Sequence, residues 1–592
     1  MMKTISAILI MLLVTCTAFA ADYYVDCDLA TGANNGSSWA DAYRSFAAMG
    51  STPGNGSTIY ISGGTDNTTC SGGIDLVRSW TIKPGAASPS PSGHDGLVIW
   101  SNGININGYG LYDVVIDGLV NGVRKFYFNQ CGIEGGIYAE PKTITIRGIE
   151  FYNPAATNCV ICLMNAVGEI DNVYINGAGN DADSGIRALW NYTGWLTTPT
   201  WGTFTIKNST LRMPNSGDGF GADGARIDTG VDFYNNTFSS YYDANYTGSQ
   251  HNDGVQINNP YGMVRIYNNT MKDKWQYALF MEDISKDLYI YNNVLDNNLI
   301  GIAIGKASTS YSNMRVENNL IIDTITYGLK FDPYNTSATD NVYIRNNIVV
   351  NTASPTSDYP FYFVNVQCSS DNTSRIIFDY NVHAAGADGR STISGCTGYT
   401  QAHDGGTTVP TFVSYTPHAM DANDYHLSSE DTVAKDNGVT GYFSTDKDGN
   451  VRSGSWDIGP YEYGGVDSSP SAYSFTSVTD AALSTETTTD PCATVAGIDA
   501  GQTPAISISG TGCTYNIDGG AYGSDASTVG LDNVVCLRGT SSASYATVYP
   551  SCTLTIGGVN NTGAPWTVTT LDAAEEPSSP RLQSVTMSGS WK

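Results

Sequence analysis

The sequence predicts an all-β protein in which a long solenoid of stacked strands precedes a small β-sandwich. Three observations support this fold class: a phrase that recurs seven times, the alternation of apolar and polar residues inside it, and a change in composition near residue 470. Repeats of roughly 20 to 50 residues are typical of solenoids, because a single repeat cannot bury its own apolar face. The repeats therefore determine where a functional surface could lie.

The repeated phrase is an apolar strand followed by two neighbouring polar residues, usually Asn-Asn. Within it, apolar and polar residues alternate, as Val264 and Ile266 alternate with Arg265 and Tyr267. This period of two predicts a strand with one face on a core. The seven copies are FTIKNSTL, VDFYNNTF, VRIYNNTM, LYIYNNVL, MRVENNLI, VYIRNNIV and IIFDYNVH, starting at residues 204, 231, 264, 288, 314, 342 and 376.

The second polar position of the phrase predicts a ladder of amides. Asn tolerates the left-handed backbone conformation that a sharp corner needs. Parallel coils about 4.8 Å apart would let each amide bond to the next. We therefore expect these residues to be scaffold. They are Ser209, Asn236, Asn269, Asn293, Asn319, Asn347 and Asn381.

The N terminus has the pattern of a secretory signal peptide, expected to span residues 1–20. Lys3 precedes an apolar run that starts at Ile5, and the small-residue exit Ala18-Phe19-Ala20 follows. The run is too short for a membrane span, and no other stretch is long and apolar enough. We expect a secreted or cell-surface protein without a transmembrane segment.

The charge balance bounds the partners. The chain has a net charge of -28 at pH 7, and only 14% of its residues are charged. An acidic protein is a poor ligand for nucleic acid or anionic membranes. We expect no nucleic-acid partner and a monomer. An anionic substrate would need local Arg or Lys residues, or a bridging cation.

Export permits disulfide bonds. Loss of Cys16 with the leader leaves 11 of 12 cysteines, so one thiol is left over. Cys159 and Cys162 lie in an apolar strand-like run without a second pair at metal spacing, and we expect them to be buried or disulfide-bonded. The plausible near-neighbour pairs are Cys368/Cys396, Cys492/Cys513 and Cys536/Cys552.

The repeats resemble the right-handed parallel β-helix proteins of the pectate-lyase-like superfamily over residues 57–463. Residues 21–56, with YYVD and NNGSSWADAYRSF, look like the N-terminal cap of many exported members. In such a cap Ser37 or Ser38 would begin a short helix. The aromatic residues expected to cover the open end of the core are Trp39, Tyr43 and Phe46.

The end of the solenoid is similar to the choice-of-anchor Q domain. The similarity lies in DNGV and DKDGNVRSGSWDIGPYEY, within residues 436–463. That domain closes β-helices in exported bacterial proteins with diverse surface anchors, so the resemblance includes cell-surface attachment among the expectations.

The remaining residues predict a second domain. Residues 464–471 are a Gly/Ser/Pro-rich linker, and residues 472–570 contain short alternating strands between Gly/Ser/Asn turns. This pattern predicts a β-sandwich, and it looks like an immunoglobulin-like module. Residues 571–592 are expected to be a flexible tail.

The other strand of each coil offers outward columns for chemistry. The aligned segments are SGIRAL 184–189, DGARID 223–228, DGVQIN 253–258, YALFME 277–282, IGIAIG 300–305 and YGLKFD 327–332. Alternate positions along these strands should point outward. The three columns are Arg187, Arg226, Gln256, Phe280, Ala303 and Lys330; Leu189, Asp228, Asn258, Glu282, Gly305 and Asp332; and, at the corner that opens each strand, Ser184, Asp223, Asp253, Tyr277, Ile300 and Tyr327.

The charges in these columns concentrate near HNDGVQ at 251–256, beside long aromatic loops at 190–201 and 239–250. Long loops on a rigid scaffold often carry function, and aromatic faces suit sugar rings. The alternative is an ordinary loop histidine and a turn-forming Asp before Gly254. We expect catalytic roles for Asp223, Asp253, Arg226 and His251, and substrate binding by Arg187, Asp228, Gln256, Asn258, Glu282, Tyr242 and Lys330.

Two reactions on a polysaccharide are compatible with these residues. A glycoside hydrolase uses two carboxylates. Asp223 and Asp253 would suit retention, and a pair of one of them with Asp228 or Glu282 would suit inversion. The polygalacturonase motifs Asn-Thr-Asp, Asp-Asp, Gly-His-Gly and Arg-x-Lys are absent in that form.

A polysaccharide lyase instead removes a proton from a neutralised uronate. The resemblance implies that Ca²⁺ often neutralises the uronate in this superfamily. The candidate bases are Arg226, Arg187 and Lys330; the candidate cation ligands are Asp223, Asp228, Asp253 and Glu282. The competing hypothesis is a non-catalytic adhesin or carbohydrate-binding stalk, because fold does not imply reaction.

Overall fold

A computed structural model describes residues 20–106, 112–135, 143–152, 159–163, 167–177, 184–187, 202–214, 218–222, 229–241, 253–258, 262–273, 275–282, 286–305, 312–331, 341–352, 362–367, 375–385, 390–394, 403, 408–417, 422–463, 470–498, 502–561 and 565–572. These residues are nearly all β, with one α-helical turn at Phe46–Met49 and one 3-10 turn at Gly85–Ala87. The chain divides into two compact units, Met1–Gly465 and Val466–Lys592.

The first unit is a solenoid-like stack of coils, in which each circuit adds one strand to each of three sheets. One circuit runs through Asp253–Asn258 in sheet C, Val264–Tyr267 in sheet A and Thr270–Lys272 in sheet B, and Tyr277–Glu282 then returns to sheet C. Successive strands within each sheet pair in parallel. This arrangement is compatible with a β-helix.

The three sheets extend over most of the first unit. In the described residues, sheet A has 13 strands: Asp22–Val25, Ser57–Ile61, Trp80–Pro84, Asp113–Asp117, Thr143–Arg147, Gly168–Asp171, Gly202–Lys207, Thr229–Tyr234, Val264–Tyr267, Lys286–Tyr291, Ser312–Glu317, Asn341–Arg345 and Arg375–Asp379. Sheet B has 12: Asn67–Cys70, Leu97–Trp100, Phe126–Asn129, Ile149–Tyr152, Tyr174–Asn176, Thr210–Pro214, Thr237–Tyr241, Thr270–Lys272, Val294–Asp296, Leu320–Ile322, Ile348–Asn351 and Val382–Ala385. Sheet C has 12: Ile74–Leu76, Ile104–Ile106, Ile133–Gly135, Cys159–Cys162, Ser184–Arg187, Asp218–Ala222, Asp253–Asn258, Tyr277–Glu282, Ile300–Ile304, Tyr327–Phe331, Tyr362–Gln367 and Arg390–Ser394. A hairpin of Leu119–Val120 and Val123–Arg124 lies outside the three sheets.

Alternation within the strands builds a continuous apolar interior. Val255, Ile257, Leu279 and Leu329 are fully buried, as their pattern predicts. Each such side chain contributes about 1.5–3 kcal/mol relative to exposure. The core therefore runs along the axis of the stack.

The predicted amide ladder is confirmed. Each Nδ2 donates to the Oδ1 of the next coil at 2.9–3.1 Å, from Asn236 through Asn269, Asn293, Asn319 and Asn347 to Asn381. These side chains are buried, and each amide also donates to a main-chain carbonyl. At Ser209 the backbone N–H donates to Asn236 Oδ1 instead.

The first polar position of the phrase forms the corner itself. Its φ angles lie between 52° and 59°, in the left-handed region that Asn tolerates. We call this row the corner column; it comprises Asn208, Asn235, Asn268, Asn292, Asn318, Asn346 and Tyr380.

The helix near the N terminus differs from the prediction. It begins after Ser45, whose Oγ accepts a hydrogen bond from Ala48 N, and not after Ser37 or Ser38. Ser38 Oγ accepts from Asp41 N, and residues 38–42 form turns.

The aromatic residues around this helix are enclosed by rings of the first coils. Phe46 is buried and stacks on Trp100 with ring centroids 4.9 Å apart, and Tyr43 is buried. Trp39 stacks on His94 at 3.9 Å.

The end of the first unit packs along the side of the solenoid. We call residues 408–417 and 422–463 the strap; it contains the antiparallel strands Phe412–Ser414 and Asp424–Leu427. Its apolar residues form one cluster with the outer face of sheet B. The members are Val294, Leu320, Ile322, Ile348, Val350 and Val382 from sheet B, and Phe412, Tyr425, Leu427, Ala434 and Ile458 from the strap.

The strap also hydrogen-bonds to four consecutive residues of the corner column. The Nδ2 atoms of Asn346, Asn318 and Asn292 donate to the carbonyls of Val439, Gly459 and Thr445 at 2.6, 3.3 and 2.9 Å. Lys447 Nζ donates to the carbonyl of Asn268 at 2.5 Å. The segment expected to close the end of the solenoid, 436–463, thus lies against the side of these coils.

The disulfides differ in part from the sequence expectation. The bonds among described residues are Cys27–Cys70, Cys492–Cys536 and Cys513–Cys552. The predicted pairs Cys492/Cys513 and Cys536/Cys552 are therefore wrong: Cys492 and Cys536 belong to paired segments of the four-stranded sheet, and Cys513–Cys552 joins that sheet to the six-stranded one. Cys368 and Cys396 lie outside the described residues.

The other cysteines of the first unit fit the expectation. Cys162 is disulfide-bonded, and Cys131 carries a buried free thiol. The three bonds suit an extracellular protein. None of the helices in the described residues has the length and apolar character needed to span a membrane.

The second unit has its own core around Leu537, Leu554 and Trp566. Its described strands form a six-stranded sheet of Val478–Ala481, Trp566–Thr570, Val548–Ile556, Ala505–Ser509, Ser527–Thr528 and Val559–Asn560, and a four-stranded sheet of Glu486–Thr488, Val534–Thr540, Ala493–Thr494 and Thr514–Ile517. An immunoglobulin-like sandwich stays a prediction.

Candidate functional site

The outer face of sheet C carries the predicted row of side chains from residue 256 onward. Gln256 pairs with Phe280, Phe280 with Ala303, and Ala303 with Lys330 on successive strands. Neighbouring strands lie about 4.8 Å apart, so these positions form one continuous row. The predicted alignment of the four strands that contain them is confirmed.

A second contact links the next outward positions of two neighbouring strands. Asn258 pairs with Glu282, and its Nδ2 donates to Glu282 Oε2 at 3.4 Å. Both side chains are partly exposed. This pair presents an amide and a carboxylate that could bind vicinal hydroxyl groups.

The strand that precedes the HNDGVQ motif lies earlier than predicted. It spans Asp218–Ala222, so that Gly221 pairs with Arg187 on one side and Gln256 on the other. Arg226 is therefore not the neighbour of Gln256 in the row. DGFGA and DGARID both open with Asp-Gly, and the observed pairing uses the earlier copy.

Several predicted site residues cannot be placed. Asp223, Arg226, Asp228, Tyr242 and His251 lie outside the described residues. For Arg187 the structure describes the backbone alone, at the predicted position of the row.

Asp253 lies on the predicted strand, but its side chain is fully buried and not on an open face. The corner at this point is tight: a Cβ on Gly254 would lie 2.5 Å from the carbonyl oxygen of Ala278 on the next coil. Ala278 and Leu279 are both buried, so strand alternation starts only after the corner. Alternation therefore could not predict the exposure of Asp253.

One aromatic pair and one cation–π contact lie on the same outer face. The rings of Tyr277 and Phe280 are stacked, with centroids 4.5 Å apart and an interplanar angle of 18°. Lys330 Nζ lies 5.8 Å from the ring centroid of Tyr327, within reach of a cation–π attraction. These partly exposed rings provide apolar surface between the polar residues.

The hydroxyl of Tyr277 lies under the influence of two carboxylates. Burial raises its pKa, and the negative charges of Asp253 and Glu282 raise it further, with a contribution from Tyr327. Tyr277 therefore keeps its proton and acts as a hydrogen-bond donor.

The face thus combines the Glu282 carboxylate, the Asn258 amide, the Lys330 ammonium group and aromatic rings. Such a set can stack on a sugar ring, bind its hydroxyls and exchange protons. Within the described residues, no group of three or more His, Cys, Asp and Glu side chains is placed to hold a metal ion. Asp223 and Asp228, two of the four expected cation ligands, lie outside them.

The importance of the aromatic residues was missed from the sequence. Tyr277 and Phe280 belonged to different predicted columns, three residues apart on one strand. A strict period of two places such residues on opposite faces. The corner at Ala278 shifts the alternation, and the signal for it was the pair of neighbouring apolar residues Ala278 and Leu279.

Comparison with known proteins does not assign the chain to a family. No protein-family model matches it, and no curated protein matches its sequence.

Proposed function

We propose that this protein is an exported polysaccharide-active enzyme that binds a saccharide on the outer face of sheet C and cleaves its glycosidic bonds there. The observation that carries the proposal is the pairing of two neighbouring strands of sheet C, which sets Asp253 beside Tyr277 and Asn258 beside Glu282, with Phe280 stacked on the Tyr277 ring. Paired carboxylates beside an aromatic surface suit glycoside chemistry.

The same proposal includes the finer identity of the fold. The three long parallel sheets favour a right-handed parallel β-helix of the pectate-lyase-like superfamily with a choice-of-anchor-like ending. The two sheets and two disulfides of the second unit favour an immunoglobulin-like β-sandwich. The three disulfides support secretion, and the resemblance of the ending supports attachment at the cell surface.

The carboxylates take different roles because their surroundings differ. Asp253, which is enclosed and away from water, is assigned the role of proton donor. Glu282 is partly exposed and suits the base or nucleophile. Asn258 would orient the sugar hydroxyls; Gln256, which was predicted to bind them, is buried at 8% exposure. The proposal covers both retaining and inverting cleavage, which differ in the distance between the two carboxyl groups.

The test measures binding and cleavage separately on a panel of polysaccharides. We expect Asp253→Asn and Glu282→Gln to lower the release of reducing ends by about a hundredfold or more, because loss of a general acid or base has effects of this size. Binding should change by less than about tenfold. Glu169→Gln, on the outer face of sheet A, is the matched control and should leave both unchanged.

A product with ultraviolet absorbance from an unsaturated uronate would indicate a lyase. Lys330 would then be the described residue best suited to the base, and loss of activity with EDTA would indicate the bridging Ca²⁺. Unchanged cleavage in both carboxylate variants would remove them from the catalytic assignment.

The second candidate is a non-catalytic adhesin or carbohydrate-binding stalk. The complete burial of Asp253 favours it, because an enclosed carboxyl group cannot contact a substrate without movement of its surroundings. This candidate predicts binding that depends on Phe280 and Tyr277, with no cleavage of any bound polysaccharide.

A further inference from the structure

A second group of acidic residues lies where the strap meets sheet B. Asp296 ends the strand Val294–Asp296, and Asp323 follows the paired strand of the next coil. Both carboxyl groups are buried, at 0% and 3% exposure. Two acidic groups enclosed on adjacent coils repel each other strongly unless one carries a proton.

Each of these carboxyl groups is covered by a tyrosine of the strap. Tyr425 donates its hydroxyl to Asp296 Oδ2 at 2.5 Å, and Tyr415 donates to Asp323 Oδ2 at 2.5 Å. Asp323 Oδ1 also accepts from the backbone N–H of Thr352 at 2.6 Å. The two tyrosines therefore cover both carboxyl groups beside the apolar cluster that the strap forms with sheet B.

The two carboxyl groups are not equivalent. Asp323 accepts hydrogen bonds from Thr352 and Tyr415, which suit a carboxylate. Asp296 accepts one from Tyr425, and its Oδ1 makes no hydrogen bond to the described residues. The proton that relieves their repulsion therefore belongs on Asp296.

We propose that Asp296 and Asp323 form a proton-dependent latch, which holds the strap on sheet B while Asp296 is protonated and loosens it when Asp296 ionises. This inference does not depend on the proposed enzymatic function. It concerns a conformational device of the first unit.

The titration of Asp296 supports the latch. Burial raises its pKa, the nearby charges of Asp323 and Asp273 raise it as well, and Tyr425 and Asn423 act in the opposite direction, so that the pKa is about 7. Burial and the charge of Asp296 also raise the pKa values of Tyr415 and Tyr425, so both stay donors. These residues are the titratable groups that face Asp296 from the neighbouring coils and from the strap.

The sign of the pH effect follows from the raised pKa. When the strap is released, Asp296 regains its ordinary value of 3.8. The docked state therefore binds the proton more tightly, and its advantage is complete below about pH 4 and is lost as the pH rises to about 7. Docking should weaken with rising pH by at least about tenfold across this window.

The experiment follows hydrogen exchange of strap peptides in the full chain, corrected for the intrinsic pH dependence of exchange. Protection of residues 422–463 should fall by about tenfold or more between about pH 5 and about pH 7.5. Peptides from the coils at residues 57–100 serve as the internal control and should not show this fall. Asp296→Asn, which stays neutral, should lose most of this fall and keep only the smaller part that other groups of the strap, such as Asp457 and His426, cause.

Two further variants should shift the pH midpoint of the loss of protection in opposite directions. Asp323→Asn removes a neighbouring negative charge and should shift the midpoint to lower pH. Tyr425→Phe removes a hydrogen bond that favours the ionised form and should shift it to higher pH. The double variant Asp296→Asn with Tyr425→Phe should show no midpoint in this range.

Other groups of the strap titrate too, so the comparison with Asp296→Asn is essential. His426 lies between Asp424 and Asp448 and has a pKa raised to about 9. Its effect falls above pH 6.5 and remains in Asp296→Asn. Protection that does not change with pH in the wild-type chain, or an unaltered pH profile in Asp296→Asn, would overturn the latch.

Discussion

The same coils present two very different outer faces on sheets B and C. On sheet B the outward positions Val294, Leu320 and Ile348 are apolar and lie beneath the strap. On sheet C the outward positions of neighbouring strands include Glu282 and Lys330, which are partly exposed. A parallel sheet that is covered on both faces has nearly continuous apolar strands. The outward residues thus separate a packing face from a candidate binding face.

The inward residues carry no such distinction. Leu295 and Ile321 on sheet B are as fully buried as Leu279 and Ile302 on sheet C. The inward residues therefore indicate which segments form the solenoid, and the outward residues indicate whether a face packs against the strap or is open for binding. The predictions below test this division, from the largest expected effect to the smallest.

The ion pair inside the strap, where Arg452 also donates a hydrogen bond to Asn292 of the corner column, should be the most sensitive point. Arg452 Nη1 lies 3.1 Å from Glu462 Oε2, and both side chains are almost completely buried. Arg452→Met leaves a buried carboxylate without its charge partner and should lower the free energy of unfolding by about 3–5 kcal/mol. Chemical denaturation of the full chain measures this.

The control is Lys207→Met on sheet A, whose partner is Glu169 at 2.9 Å; the side chains of Lys207 and Glu169 are 22% and 31% exposed, so both charges reach water. Exposed pairs contribute about 0–1 kcal/mol, so a small change is expected. Equal losses in the two variants would contradict the distinction between covered and open faces.

Truncation on the two faces should give unequal losses of stability. Leu320→Ala removes a fully buried side chain between sheet B and the strap and should cost about 2–5 kcal/mol. Lys330→Ala on sheet C should stay within about 0.5 kcal/mol, because its side chain is partly exposed. Thermal unfolding of both variants makes the comparison. A larger loss for Lys330→Ala would show that sheet C is a packing face.

Loss of an aromatic ring on sheet C should change binding more than stability. Phe280→Ala removes a stacking partner of Tyr277, and such aromatic contacts contribute about 0.5–1.5 kcal/mol. We expect a weakening of saccharide binding by about threefold to tenfold in titration calorimetry. Tyr343→Ala on sheet A is the matched control. Unchanged affinity for Phe280→Ala would place the binding site elsewhere.

The smallest effect concerns His426 at the edge of the strap. Hydrogen bonds to Asp448 and Asp424 raise its pKa to about 9 against the loss of hydration. The stability that it contributes is complete below pH 6.5 and is lost as the pH rises through 9. His426→Gln should flatten the stability profile between about pH 6.5 and pH 9 and change little below it. A profile that keeps its slope would assign the titration to another group.

Much of the solenoid follows from local pattern. The amide ladder from Asn236 to Asn381 and the pairing of Gln256 with Phe280 were predicted, because period and alternation act between neighbouring coils. The strand at Asp218–Ala222 was missed, since two Asp-Gly segments fit the same pattern and only the pairing distinguishes them.

Long-range contacts were beyond that reasoning. The place of the strap depends on pairs such as Asn292 with Thr445, which are 153 residues apart. The burial of Asp253 and the stacking of Tyr277 on Phe280 depend on a tight corner that changes the alternation. Asp253 and Tyr277 were therefore placed on the correct strands from the sequence, but their burial and ring contacts were not predicted.

The strap sets a limit on how this fold can change in length. A coil duplicated upstream of Asn268 would extend the amide ladder without disturbing any contact of the strap. The strap spans a fixed number of coils. A coil inserted between Asn268 and Asn346 would therefore separate Lys447 from the carbonyl of Asn268 while Val439 stayed bonded to Asn346. The strap therefore fixes the number of coils between Asn268 and Asn346, and coils can be duplicated without breaking its contacts only upstream of Asn268.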